Sequence, residues 1–247
     1  MSEKLQKVLA RAGFGSRREI EGWIIRGRVK VNGKVASIGD RVEDSDKIIV
    51  DGKKLAPQKS VKRDRRVLLY NKPDNEICTR KDPEGRRTVF DRLPALKHGR
   101  WVSIGRLDIN TSGLLLFTTD GELANHLAHP SSMIEREYAV RVMGEVTPSM
   151  VQNMYEGIII DDDLCRFTDI QFYAGEGSNQ WYHVVLMEGR NREVRKLWES
   201  QGVKVSRLKR VRFGSTLIPS NVRRGQFVEL SKTEIDKLLK LATTQEP

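Results

Sequence analysis

Gly105-Arg106-Leu107-Asp108-Ile109-Asn110-Thr111-Ser112-Gly113-Leu114-Leu115-Leu116 is the stretch on which the reading of this chain turns. A charged pair, Arg106 and Asp108, stands just before an apolar run that belongs in a core. Gly105 and Gly113 bracket the segment and permit tight turns on both sides. The spacing predicts one carboxylate on a short loop anchored by a buried strand. Rigid elements of that kind fix the geometry that reactive side chains need. The same spacing also suits an aspartate that only bonds its own loop backbone.

Outward from the loop, Trp101–Ile104 leads in as a strand and Leu114–Thr118 leads out as another. Upstream, Val67-Leu68-Leu69-Tyr70 reads as a buried strand ending at Asn71-Lys72-Pro73, and Val89–Pro94 as a short helical turn. Downstream, residues 122–129 read as a helix stopped by Pro130. Tyr138, Val140 and Val142 alternate as a strand with Glu137 and Arg141 on its other face. Helices are expected at 148–156, 191–201 and 231–242, and strands at 168–173, 181–187, 204–212 and 226–230. Irregularly interspersed helices and strands predict an α+β domain with a mixed, largely antiparallel sheet flanked by helices. No GxGxxG follows a strand, which argues against a nucleotide-binding Rossmann domain.

The first 56 residues read as a separate small domain. Leu5, Val8, Leu9 and Ala12 have helical spacing, and Gly13-Phe14-Gly15 ends that helix. Ser16 caps a second helix with Glu19 three residues on, a capping box. Val29, Val31, Val35 and Ile38 then alternate around Asn32-Gly33, a hairpin signal, and Ile48-Ile49-Val50 precedes Asp51-Gly52. Residues 57–66 are basic and aperiodic and read as a linker, leaving 67–247 as the larger domain.

The chain has 247 residues and a formal net charge of +11. The surplus is concentrated: residues 1–66 hold 18 Lys/Arg against 9 Asp/Glu, and residues 189–212 hold 9 against 2. Two basic zones suggest two contacts with one long anion, most often a nucleic acid. No apolar run approaches the roughly 20 residues of a membrane span. Cys78 and Cys165 lie far apart with no CxxC, so neither a disulfide framework nor a zinc knuckle is suggested, and a cytoplasmic protein is expected. His126 and His129 could share a helix face, but no further ligand cluster lies nearby.

In Glu188-Gly189-Arg190-Asn191-Arg192-Glu193-Val194-Arg195-Lys196 a strand ends and a helix opens, with Asn191 expected as its N-cap. Helix-start N–H groups favour an anion, and Arg190, Arg192 and Arg195 would add to that attraction.

These segments resemble a known family. Gly105–Asp108 followed by Thr111–Leu115 looks like the signature loop of the RNA pseudouridine synthases of the small-subunit rRNA type. Arg136–Val140 resembles the family's tyrosine strand, and 188–196 its third motif. The 79–86 and 175–181 segments look most like its large-subunit members, and residues 3–55 resemble the S4 RNA-binding module. The resemblance implies isomerisation of a uridine in rRNA, with the large subunit as the nearest match, on a base flipped from a stem-loop. The N1 glycosidic bond breaks, the base rotates, and C5 joins the ribose, with no cofactor or metal.

Carried over by position, Asp108 is catalytic, Arg195 pairs with it, and Tyr138 stacks on the target base. Arg106 fills the space of the flipped base or binds its phosphate, and Lys72 holds a phosphate. Arg190, Asn191 and Arg192 bind the substrate. In the S4 module Ser16, Arg17, Arg18, Arg28 and Lys30 face RNA; Arg17 and Arg18 lie in a helix first turn, where the dipole disfavours cations. A monomer without an obligate protein partner is expected. The alternative is a non-catalytic S4-type ribosome assembly factor, which would need no charged pair at a core strand.

Overall fold

The computed structural model describes residues 2–55 and 65–243. Most of the expected linker, 57–64, therefore lies outside the described residues. The chain forms two compact units, one of residues 1–65 with 95–101 and 119–121, the other of the remainder. The first unit thus recruits two short segments from beyond the expected boundary.

The first unit begins with β1 (Glu3–Lys4), α1 (Leu5–Arg11) and α2 (Arg17–Ile25). Ser16 caps α2 as its spacing predicted: Glu19 N–H donates to Ser16 Oγ and the Glu19 carboxylate accepts from Ser16 N–H. Leu5, Leu9, Ile20 and Ile24 form the core with Val29, Val42, Ile48 and Val50. A four-stranded sheet follows, ordered β3-β2-β5-β6, from β2 (Val29–Val31), β3 (Lys34–Val35), β5 (Ile48–Val50) and β6 (Lys53–Lys54), while β4 (Arg41–Val42) pairs with β1. Asn32 and Gly33 both have positive φ, as the hairpin signal required. Val35 and Ile38, expected to alternate inward, are exposed.

The second unit is built on one nine-stranded sheet. Its strands are β7 (Val67–Lys72), β8 (Val102–Ile104), β9 (Ser112–Thr118), β10 (Arg136–Met143), β13 (Asp169–Glu176), β14 (Asn179–Leu186), β15 (Lys204–Phe213), β16 (Thr216–Leu217) and β17 (Phe227–Glu229). The main order is β13-β14-β10-β15-β9-β7-β17, antiparallel except where β15 runs parallel to β9. The mixed, largely antiparallel sheet of an α+β domain is therefore what forms. A small hairpin, β11 (Ile158–Ile160) with β12 (Asp163–Cys165), stands apart.

Helices α3 (Gly121–Ala128), α4 (Pro148–Glu156), α5 (Glu193–Ser200) and α6 (Lys232–Thr243) complete the unit. Leu123, Leu127, Ile235 and Leu238 pack against Leu114 and Leu116 of β9. Every residue of β7 and β9 is buried, so their apolar stretches, 67–70 and 114–117, are continuous rather than alternating. Over the expected helical turn at 89–94 the chain makes single turns, Asp91 N–H donating to the Thr88 carbonyl and Leu93 N–H to that of Phe90, and no longer helix follows.

Gly113 is required by the β9–β15 crossing. Its φ is +101°, and a Cβ there would lie 2.2 Å from the Arg210 carbonyl oxygen, so only glycine lets the two backbones approach. Gly105, at φ +72° with open space around it, is instead a conformational requirement.

Candidate active site

The 105–113 loop is fastened from beneath. Lys72, at the end of β7, is fully buried. Its ammonium donates to the carbonyls of Thr111 (2.9 Å), Asp108 (3.1 Å), Pro73 (3.1 Å) and Ile109 (3.4 Å). Burial lowers its pKa below the ordinary lysine value. The expected phosphate contact of Lys72 is therefore corrected: its donors are turned into the loop's backbone, out of reach of an RNA strand. A lysine is suited to this because three rotatable donors on one point charge can meet carbonyls from different directions.

Arg195, buried on α5, supplies the second clamp. Nη2 donates to the Asn110 carbonyl at 2.9 Å, and Nη1 to the Val205 carbonyl of β15 at 3.0 Å. The expected ion pair with Asp108 does not form: no salt bridge joins the two among the described residues, although the Asp108 charge acts on Arg195 and counteracts part of the lowering that burial imposes on it. The two hydrogen bonds of Arg195 go to backbone carbonyls instead. Leu107 N–H donates to Cys78 Sγ at 3.4 Å, and Asn75 N–H to the Ile109 carbonyl at 2.8 Å. With its backbone fixed from behind, the loop presents the Asp108 side chain to a cavity of about 280 Å³. That lies just below the usual range of small-molecule sites, about 300–1,000 Å³.

The cavity brings together Arg106, Asp108, Tyr138, Arg190, Asn191 and Arg192, six of the expected site residues. Arg106 is exposed and enters no ion pair among the described residues. Tyr138 projects from β10 on the inward register shared with Val140 and Val142, and is 7% exposed. Arg190 is less available than expected, since it pairs with Glu188 at 2.6 Å and with Asp163 at 2.6 Å.

Asn191 is not the N-cap of α5. Arg192 holds that place at φ +54° with no side-chain cap, and the Glu193 carboxylate accepts the Arg190 N–H at 2.9 Å instead. A left-handed arginine is strained, and such strain persists only where the surrounding structure over-determines it. Burial raises the Glu193 pKa above the usual carboxylate range.

Two further cationic residues line the cavity and were not singled out from the sequence. Arg136 donates to the carbonyls of Ile134 (2.6 Å) and Met187 (2.8 Å), and Arg210 donates to that of Leu114 (2.8 Å). Both guanidinium groups lie over the Phe213 ring, at 5.3 and 5.4 Å from its centroid. Strand parity carried the signal: Arg136 shares a face with Tyr138 two residues on, and Arg210 is the cross-strand partner of Tyr138. The wall is thus strongly positive, with Glu193 and Asp108 as its two carboxylates. Glu193 is committed to the loop backbone, whereas Asp108 makes no side-chain hydrogen bond or ion pair among the described residues.

In the first unit Arg17, Arg18 and Lys30 are exposed. Ser16 is occupied as the cap of α2. Arg28 is engaged, paired with Asp51 through two guanidinium nitrogens and lying 5.0 Å from the Trp23 ring centroid.

The central strands β10 and β15 and the loop before β9 thus enclose a cationic pocket into which the Asp108 carboxylate is presented. A family model described as RNA pseudouridylate synthase matches residues 66–200, and one described as S4 domain matches residues 3–48. The chain belongs to the RNA pseudouridylate synthase family.

Among curated proteins it is similar to ribosomal large subunit pseudouridine synthase B of Pseudomonas aeruginosa, 60% identical over 96% of this chain and 62% of that protein. The proteins of that name from Vibrio cholerae and Salmonella typhimurium are 57% and 58% identical, over 98% and 96% of this chain and 75% and 82% of theirs. The chain thus spans about three fifths to four fifths of the length of these relatives. A solved structure described as a pseudouridylate synthase shares the fold, with a TM-score of 0.66 at 24% identity over 95% of this chain and 99% of that one.

Proposed function

We propose that this protein converts a uridine of large-subunit ribosomal RNA to pseudouridine. The observation that carries the reading is the unengaged Asp108 carboxylate, held by a fixed backbone in a pocket walled by Tyr138 and arginines. The reaction is an isomerisation: the N1–C1′ bond breaks, a C5–C1′ bond forms, and the C5 proton is released as N1 regains one. A carboxylate can attack the sugar or the ring, or stabilise the cation left at C1′. Tyr138 offers a face on which the extruded base stacks, a contact worth about 1–3 kcal/mol. Arg106 is available to meet a flanking phosphate, as is Arg192, whose pairing with Glu199 is a loose 4.0 Å. The names of the relatives support large-subunit rRNA as the substrate.

Every residue lining the cavity comes from one of the two units. Among the described residues no helix is long and apolar enough to cross a membrane, and both cysteines are free, which fits action in a reducing cytoplasm.

The test is incubation with unmodified rRNA, followed by carbodiimide mapping of pseudouridine. The wild type is expected to modify one site, while Asp108→Asn binds RNA with near wild-type affinity and forms no product. Asn keeps the shape but loses the charge. Turnover by the variant at even about a tenth of the wild-type rate, only about 1.4 kcal/mol of barrier, would overturn the role of Asp108. Binding without any product from the wild type would favour the assembly-factor reading.

A further inference from the structure

The strands that carry Tyr138 and Arg210 into the pocket present a different surface on their opposite face. Arg141 of β10 stands directly across from Arg207 of β15 on one side and from Trp181 of β14 on the other. One register step away on the same face, Ala139 is flanked by Lys209 and His183, and Met143 by Lys204 and Asn179. Ala139 remains part-exposed in the middle of this face. At the sheet edge the Tyr173 ring is 72% exposed and packs on His183, with centroids 5.1 Å apart.

Like charges directly opposite each other in a sheet destabilise it. Among the described residues none of Arg141, Lys204, Arg207 and Lys209 has a carboxylate partner within 4.0 Å. The one carboxylate of β10 on this face, Glu137, is held by Arg212 and His183. Arg141 is also held in place: a bulge in β15 puts Ser206 beside it, Arg141 Nε donates to Ser206 Oγ at 2.9 Å, and that hydroxyl donates to the Arg141 carbonyl at 3.0 Å. Local stability would not select four unneutralised cations here, with one of the two facing arginines fixed in place; a polyanion would neutralise them.

We propose that this face is a second RNA-docking platform, for a single-stranded segment flanking the modified stem-loop. The cations of β10 and β15 would track the phosphates, and Trp181 and Tyr173 would offer rings to unpaired bases. Cation rows beside stacking rings bind single strands without regard to sequence. A double helix would hide its bases from those rings, so an unpaired strand suits the surface better. The proposal rests on the reading of the protein as an rRNA-modifying enzyme, but it concerns a surface outside the catalytic pocket.

The test uses fluorescence anisotropy with the full chain and two RNAs, a bare hairpin substrate and the same hairpin with a single-stranded extension. The extension is expected to tighten binding to the wild type. Tyr173→Ala, at an exposed position, should remove on the order of tenfold of that gain. Arg207→Gln with Lys204→Gln should lower the salt slope for the extended RNA by about 1.4, or about 0.7 for each phosphate. Hairpin affinity and isomerisation of the bare hairpin should not change. An extension that adds nothing, or variants that weaken both RNAs equally, would overturn the platform while leaving the catalytic reading intact. Absence of isomerisation by the wild type would overturn the catalytic reading, and the extension-dependent binding would still decide the platform. Unchanged RNA binding in the variants would turn attention to an acidic protein partner and reject the proposal.

Discussion

At Lys72 an ammonium that enters no ion pair among the described residues sits in the core, satisfied by four backbone carbonyls, three of them from the loop that bears Asp108. The cost of burying a charge falls when its donors are all used, and hydrogen bonds to charged groups are worth about 1.5–3 kcal/mol each. Lys72→Met keeps the length of the side chain but leaves those oxygens without their donor. We expect a loss of about 2–4 kcal/mol in stability by urea unfolding. Single-turnover rate should also fall at temperatures where the variant is still folded, because the loop is no longer pinned. A phosphate-binding lysine would behave in the opposite way, with weaker RNA binding, a smaller salt slope and unchanged stability. From the sequence, Lys72 was visible as a charge beside a buried strand, but only its depth reveals that it faces the loop.

At the scale of elements, the start of α5 decides how the site is held. Arg195 reaches one carbonyl in the 105–113 loop and another in β15 from a single planar group. Arg195→Lys is therefore expected to be nearly as damaging to kcat as Arg195→Ala, because an ammonium does not reproduce the planar fork whose two separate nitrogens meet these carbonyls. Substrate affinity should change little. Full rescue by lysine would show that only the charge matters, as in an ion pair with Asp108.

At the first position of the same helix, Glu193 has a raised pKa, chiefly through burial. The folded protein then holds this proton more tightly than the unfolded chain, so protonation favours folding. The contribution is complete below the ordinary glutamate value of 4.5 and is lost as pH rises through the raised value. Glu193→Gln should flatten that part of the stability–pH curve in chemical denaturation. A slope identical to wild type above pH 4.5 would show that Glu193 does not titrate differently in the folded state.

Across the whole molecule, positive charge is divided between a small unit that exposes Arg17, Arg18 and Lys30 and a larger one with an arginine-walled pocket. Arg17 and Arg18 occupy the first turn of a helix already capped by Ser16 and Glu19, so they add no local stability there. Arg17→Ala with Arg18→Ala should weaken RNA binding and reduce the slope of log K against log salt by about two, one for each phosphate no longer neutralised. Thermal stability should be unchanged or slightly higher. An unaltered slope in a salt titration would show that these arginines do not touch the RNA backbone.

The sequence by itself determined most of the elements and the loop that carries Asp108. Capping at Ser16 and Glu19, the Asn32-Gly33 hairpin and the buried runs 67–70 and 114–118 are local or periodic signals, and they are written in neighbouring residues. The glycine-bracketed Asp108 was legible for the same reason. The tertiary structure alone decided which charges are free. Lys72, Arg195 and Arg190 look alike as basic residues in a sequence, yet each is bound to carbonyls or carboxylates, some of them up to 85 positions away. Arg136 and Arg210 joined the pocket because two strands distant in the chain pair with Tyr138 opposite Arg210. The left-handed Arg192 and the crossing at Gly113 likewise follow from long-range packing, which no local pattern encodes.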